Sequence, residues 1–145
     1  MSGLNRLPTR SDYTEEAVWA RLSPVVLNDN AIMVVYVRDE FHDREELTRA
    51  IRALADYRGQ ELRLVGFRTT LGCDQHAQYR ALAGLKRCRW IMTVMTPLFS
   101  DTPDTRYFLE YMHYKCDFER WMPVKVCEPR RPLVLRRIDP LRPYL

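Results

Sequence analysis

The sequence lacks any apolar run long enough to cross a bilayer. The longest run, Ala31–Val37, falls far short of the roughly 20 residues that a membrane-spanning helix needs. The opening residues, Met1–Arg10, are polar and contain Pro8, whereas a secretory signal begins with a basic stretch followed by an apolar one. We therefore expect neither a membrane span nor secretion, and we expect a cytoplasmic location.

Clusters of metal-ligating residues are also absent. The chain has no C-x-x-C pair, and its four cysteines are scattered as Cys73, Cys88, Cys116 and Cys127. A zinc site normally shows such clustering, and a secreted disulfide framework is usually denser. These residues are therefore predicted to be reduced thiols of a cytosolic protein, and no metal site is predicted.

Three sequence motifs that bind phosphates or carry nucleophiles are missing. There is no G-x-G-x-x-G, no G-x-x-x-x-G-K-[ST] and no G-x-S-x-G in the chain. Their absence argues against a dinucleotide site, a P-loop and a hydrolase nucleophile elbow. We expect no bound cofactor.

Lysine is scarce, and Lys86, Lys115 and Lys125 are the only examples, so arginine supplies nearly all the positive charge. Arginine suits planar, bidentate contacts with protein or phosphate partners. The formal net charge of +4 is too small to indicate nucleic acid by itself. No nucleic-acid partner is expected.

What the chain does have is an alternation of strand-like and helix-like segments. Its 145 residues, 46% of them hydrophobic, are enough for one domain with a core. Strands are predicted at Ala31–Val37, Glu61–Val65, Trp90–Met95 and Trp121–Val126, and Leu133–Leu135 is able to form a short fifth. The first and third are almost wholly apolar, which is typical of buried parallel strands. The order predicts a three-layer α/β domain with a flavodoxin-like central parallel sheet of four to five strands flanked by helices.

Each helix of this pattern begins at a capping residue. The predicted caps are Asp43, Asp74 and Thr102, the last followed by Pro103. The first helix is expected to end near Gly59 and carries an apolar stripe at Leu47, Ala50, Ile51 and Leu54. The third carries aromatic residues at helical spacing, which favours core packing over a contact surface: Tyr107, Tyr111, Tyr114 and Phe118.

The main domain is predicted to span residues 30–127, between two smaller segments. Residues 1–29 read as an N-terminal helical extension, with a helix over Tyr13–Leu22. Residues 128–145 are rich in arginine and proline, which indicates a solvated, partly extended tail. Charge alone leaves contact of this tail with phosphoinositides or nucleic acid open.

Several segments resemble the Toll/interleukin-1 receptor (TIR) domain family. Val35–Glu40 is similar to its first box, a buried strand ending in an aromatic and acidic residues, and Arg63–Gly72 resembles its second box. Leu85–Phe99 is similar to a basic, cysteine-containing helix end that leads into an apolar strand and S/T-P-x-[FY]. Trp121–Val126 resembles the later aliphatic-Pro-[IV] strand.

The resemblance implies a signalling adaptor or interaction module of innate-immune type. Such domains act by homotypic binding to other TIR domains, as homo- or hetero-oligomers, and reach a membrane only through a partner receptor. It implies that the loop after the second strand contacts the partner, and we expect exposed Phe67 and Leu71 to supply anchors and Arg68 a bidentate cation. The candidate interface residues are Phe67, Arg68, Thr69, Thr70, Leu71 and Gly72. A simple connecting loop is the plain alternative.

The resemblance also implies a second hypothesis, NAD glycohydrolase activity. Enzymatic TIR domains cleave the nicotinamide–ribose bond of NAD with a glutamate on the helix after the third strand. Glu110 lies in that predicted helix, where a carboxylate would stabilise an oxocarbenium-like transition state. Arg106 occupies the place of the family's tryptophan, which favours the non-enzymatic module. A different doubly wound binding domain, such as a flavodoxin-like regulator, is a third alternative.

Overall fold

A computed structural model of the chain describes residues 28–54, 59–69, 75–115 and 118–140. The helix predicted over Tyr13–Leu22 and the predicted cap Asp74 lie outside these ranges.

One five-stranded sheet forms the middle of the molecule. Its strands are β1 (Asn28–Val37), β2 (Glu61–Phe67), β3 (Cys88–Met95), β4 (Trp121–Val126) and β5 (Leu135–Arg137). They lie side by side in the order β2-β1-β3-β4-β5. The first four are parallel, and β5 runs antiparallel to β4. With helices on both faces, this is the predicted three-layer, flavodoxin-like α/β fold.

The helices are distributed unequally between the two faces. They are α1 (Arg44–Arg52), α2 (Gln75–Arg87), α3 (Pro97–Asp101) and α4 (Pro103–Lys115), with 3-10 turns at Arg38–Glu40 and Phe118–Arg120. The core on one face contains residues of α1, and the core on the other contains residues of α2, α3 and α4. In β1, Met33 and Val35 face the second core and Ile32 and Val34 face the first, all fully buried. Burial of both faces explains why this strand is continuously apolar.

Helix α1 begins at the predicted cap. The Asp43 carboxylate accepts hydrogen bonds from the backbone N–H groups of Glu45 (3.0 Å) and Glu46 (3.1 Å). The helix ends at Arg52, before the predicted end near Gly59, because the Leu54 N–H bonds the Ile51 carbonyl in a tighter turn.

Helix α3 is absent from the sequence prediction. The predicted third strand ends at Met95, as β3 does. The Thr96 hydroxyl then accepts a hydrogen bond from the Phe99 N–H at 3.1 Å, and Pro97 occupies the first helical turn. A threonine cap followed by proline therefore starts a short helix immediately after the strand.

Arg120 joins α2 to the start of β3. Its guanidinium donates hydrogen bonds to the carbonyls of Leu85 (2.6 Å), Cys88 (2.9 Å) and Arg89 (3.4 Å). These carbonyls lie at and just beyond the end of a helix, where intrahelical donors run out.

The described residues after β4 form a short fifth strand that pairs with β4, whereas composition indicates a solvated, partly extended tail. The Cys127 N–H donates to the Val134 carbonyl (2.8 Å) and the Ile138 N–H to the Pro123 carbonyl (3.0 Å), so the chain doubles back along β4. Strand β5 covers Leu135–Arg137 rather than the predicted Leu133–Leu135. Pro123 is tolerated here because the β4–β5 ladder begins at Val124, one residue beyond it.

Candidate functional site

The turns that follow the parallel strands meet at the carboxyl edge of the sheet. In open α/β folds this edge is where ligands and partners bind, at the point where strand order reverses. Here the reversal lies between β1 and β3. The turn Arg38–Glu40 follows β1, and Thr96 follows β3.

Asp39 connects the turn after β1 to the loop after β2. The Thr69 hydroxyl and the Thr69 N–H (3.3 Å) both donate to one oxygen of its carboxylate. The hydroxyl hydrogen bond is the main reason that the pKa of Asp39 lies below its ordinary value. Desolvation acts in the opposite direction, and the backbone hydrogen bond, His42 and Arg38 lower the pKa further. The ionised carboxylate thus holds the first residues of the loop.

Glu40 connects the turn after β1 to the start of α3. The Thr96 hydroxyl donates to the Glu40 Oε1 at 2.5 Å while it accepts the cap bond of Phe99. Two adjacent acids after β1 therefore hold two neighbouring strand ends, Asp39 toward β2 and Glu40 toward β3.

Arg130, from the segment after β4, packs against the turn that follows β1. Its guanidinium carbon lies 4.9 Å from the centre of the Phe41 ring, within cation–π range, and its Nη2 donates to the Glu40 carbonyl at 3.3 Å. A cavity of about 240 Å³ opens beside it, lined by Glu40, Met95, Thr96, Pro97, Lys125, Val126, Glu128 and Arg130.

Of the residues predicted to form the interface loop, Arg68 is exposed as expected and Phe67 is not. Phe67 is completely buried in the core beside α4, where its ring lies 6.4 Å from that of Phe108, so the prediction that it is an exposed anchor is wrong. The reason is alternation: Val65 and Phe67 face the same core at the end of β2. Arg68 is exposed, and Thr69 is half-buried. Thr70, Leu71 and Gly72 lie outside the described residues.

Glu110 is exposed on α4, and so is Arg106 one turn earlier. It lines neither the cavity above nor a shallower one of about 530 Å³ formed by Arg44, Glu45, Thr48, Arg49 and Leu64. A glycosidic cleavage needs the carboxylate beside a pocket that holds the sugar and excludes water. Neither of these two cavities provides such a pocket for Glu110.

The predicted core packing of the aromatic stripe is wrong for two of its residues, since Tyr107 and Tyr114 are 53% and 81% exposed. Tyr111 is partly buried and packs against the core as predicted. Phe118 lies beyond the end of α4, and nothing is described of its side chain. The core is reached instead by Phe108, Leu109 and Met112. This helix carries two stripes of suitable spacing, and the more apolar one is buried.

The two cysteines that the structure describes, Cys88 and Cys127, differ in burial. Burial raises the pKa of the Cys88 thiol to about 11, so this residue is an unreactive thiol at neutral pH. Cys127 is a half-buried free thiol, and Cys73 and Cys116 lie outside the described ranges. Among the residues that the structure describes, no group of His, Cys, Asp or Glu has the arrangement of a metal site.

Sequence reasoning did not single out Asp39, Glu40 or Arg130. The signal for the first two was their position, since both fall in a loop at the carboxyl end of a predicted buried strand. Arg130 had no local signal, because its partners Glu40 and Phe41 are distant in the chain.

Comparisons with family models, with curated proteins and with solved structures find no match to this chain. Within the residues described, no helix combines the length and the apolarity that crossing a membrane requires.

Proposed function

We propose that this chain is a cytoplasmic TIR-like signalling module that acts by binding other TIR-like domains. The observation that carries this proposal is the presentation of Arg68 at the carboxyl edge of a flavodoxin-like sheet. Its side chain is exposed, while the residue before it is buried and the residue after it is hydrogen-bonded to Asp39. Because the backbone at this position is already fixed, binding of the guanidinium to a carboxylate has no further backbone entropy to lose.

The assembly is expected to be head to tail. A loop of one molecule that contacts a different surface of the next gives an open, repeating contact rather than a closed pair. Each contact is small and partly polar, so its affinity is weak, and repetition supplies the strength.

The test is replacement of Arg68 by alanine. We expect Arg68→Ala to weaken association by roughly tenfold or more, as loss of a charge-assisted bidentate contact does. Because Arg68 is exposed, the melting temperature should not change. Self-association is measured by sedimentation velocity over a concentration series, and heterotypic association by pull-down with a TIR domain.

Arg106→Ala is the matched control, since it removes the same charge from another exposed position. Equal association of Arg68→Ala and the unsubstituted chain would remove the loop from the interface. A chain that associates with neither itself nor any TIR domain would contradict the module proposal. Release of nicotinamide from NAD that Glu110→Ala abolishes would instead establish the enzyme alternative.

A further inference from the structure

The segment that follows β4 concentrates positive charge at one edge of the sheet. Between Pro129 and Ile138 the sequence has four arginines and no acidic residue. All four are exposed: Arg130, Arg131, Arg136 and Arg137. Acids occur only at the two ends of the segment, as Glu128 and Asp139. We call the group formed by Lys125, Arg131, Val134, Arg136 and Arg137 the basic edge.

The framework of the basic edge is ordered rather than loose. Leu133 and Leu135 are buried in the core on the α1 side of the sheet, and Ile138 is buried in the other core. Arg130 anchors the start of the segment through Phe41 and the Glu40 carbonyl. The charges are therefore displayed at fixed positions before any partner binds, which lowers the entropic cost of binding.

Two like charges face each other across this edge. Lys125 of β4 is directly opposite Arg136 of β5 in the antiparallel register. Arg136 is exposed, and its planar guanidinium has the bidentate geometry that matches a phosphate group.

An exposed apolar side chain accompanies the charges. Val134 is 48% exposed and alternates with the buried Leu133 and Leu135, so it lies on the same side of the segment as Arg136. Apolar side chains among cations are typical of surfaces that lie at the headgroup level of a membrane. No aromatic residue occurs between Pro129 and Ile138, whereas stacking on aromatic rings is the usual way to hold single-stranded bases.

We propose that the basic edge docks on an anionic membrane surface, with lipid phosphates at the exposed Arg131 and Arg136 and with Val134 at the headgroup level. This role is separate from assembly through Arg68, since it uses other residues. They lie at the β5 edge of the sheet, whereas Arg68 follows β2 at the opposite edge. It adds to that function, because recruitment to a surface raises the local concentration of a module whose individual contacts are weak.

The experiment is sedimentation of the full chain with vesicles of phosphatidylcholine alone and of phosphatidylcholine mixed with phosphatidylserine. Binding is expected only to the mixed vesicles and is expected to fall as salt rises. Each basic residue near an anionic leaflet contributes about fivefold to partitioning, so the triple variant Arg131→Gln/Arg136→Gln/Arg137→Gln should bind roughly a hundredfold more weakly. Val134→Ser should bind the mixed vesicles about fivefold more weakly, and this factor should be the same at every salt concentration.

A matched control removes the same charge elsewhere. Arg44, Arg49 and Arg106 are exposed on α1 and α4, and their triple glutamine variant should retain most of the binding. Thermal unfolding of each variant verifies that the fold is retained.

Three results would overturn the proposal. These are equal binding to neutral and anionic vesicles, an equal loss in the control triple variant, and binding of a single-stranded oligonucleotide with no binding to vesicles. Assembly of the chain in solution, measured without vesicles, tests the proposed function independently of all three.

Discussion

Among single residues, the hydrogen bonds that shape the carboxyl edge join side chains that are distant in the chain. Thr69 donates to Asp39, thirty residues earlier in sequence, and Thr96 donates to Glu40. Both acids lie in the turn after β1, and from there each reaches the end of a neighbouring strand. The turn after β1 therefore organises the whole edge.

The Thr69 hydroxyl is predicted to set the pKa of Asp39. Thr69→Val removes the larger of the two hydrogen bonds to the carboxylate, so the pKa of Asp39 should rise toward its ordinary value. Thr69→Ser keeps the hydroxyl and should keep the lowered pKa. The measurement is a titration of the Asp39 carboxyl carbon by NMR.

The effect on stability follows from the sign of this shift. A carboxyl group whose pKa is lower in the folded state stabilises the fold above its unfolded pKa, and that contribution disappears as pH falls through the folded pKa. The free energy of unfolding of Thr69→Val should therefore be lower than that of the unsubstituted chain at neutral pH. The two values should converge in acid. The difference is below about 1 kcal/mol, because Asp39 is exposed to solvent. An identical Asp39 pKa in the valine and serine variants would contradict this account.

Between elements, the packing of α2 on the central strand depends on a glycine. A Cβ placed on Gly84 would lie 2.1 Å from the Met33 Sδ, and Met33 is fully buried in β1. Close approach of the helix to the sheet thus requires the absence of a side chain at this position.

A double-mutant cycle tests that contact. Gly84→Ala should destabilise the protein by about 1–3 kcal/mol through overpacking, despite the better helix propensity of alanine. Combined with Met33→Ala it should cost less than the sum of the two single changes, because the shorter side chain leaves room for the new methyl group. Chemical denaturation of the four proteins gives the coupling energy.

Gly59→Ala is the control for this cycle, since nothing lies within 4 Å of a Cβ at Gly59. It should change stability by less than about 0.5 kcal/mol. Strict additivity of the Gly84 and Met33 changes would show that the two residues do not press on each other.

At the scale of the whole molecule, the segment after β4 belongs to the same folded unit as the sheet. Leu135 and Ile138 join opposite cores, so loss of this segment would expose apolar surface on both faces. Such a segment is expected to unfold together with the rest of the domain.

Truncation of a single side chain tests this integration. Leu135→Ala should lower the free energy of unfolding by about 2 kcal/mol, as removal of a buried leucine side chain does. Val134→Ala, at the exposed neighbouring position, should change it by less than about 0.5 kcal/mol. Urea denaturation followed by tryptophan fluorescence provides both values. Equal stability of the two variants would mean that the segment is only loosely attached.

Much of the fold was predictable because its signals are local. The apolar β-branched run of β1, the cap at Asp43 and the strand Trp121–Val126 were predicted from neighbouring residues alone, and the structure confirms them. The candidate site was less predictable. The exposure of Phe67 was predicted wrongly because the predicted strand ended at Val65. Strand β2 continues to Phe67, and its alternation turns that side chain into the core.

By itself, the sequence determined the order of the strands and of the longer helices, the cap at Asp43 and the burial of the central strands, because hydrophobic periodicity and cap chemistry act over a few residues. Tertiary structure alone decided which stripe of α4 faces the core, that the last strand runs antiparallel, and that Asp39, Glu40 and Arg130 meet partners far away in the chain. Those outcomes depend on which surfaces the sheet brings together, and contacts between distant residues leave no pattern at short spacing.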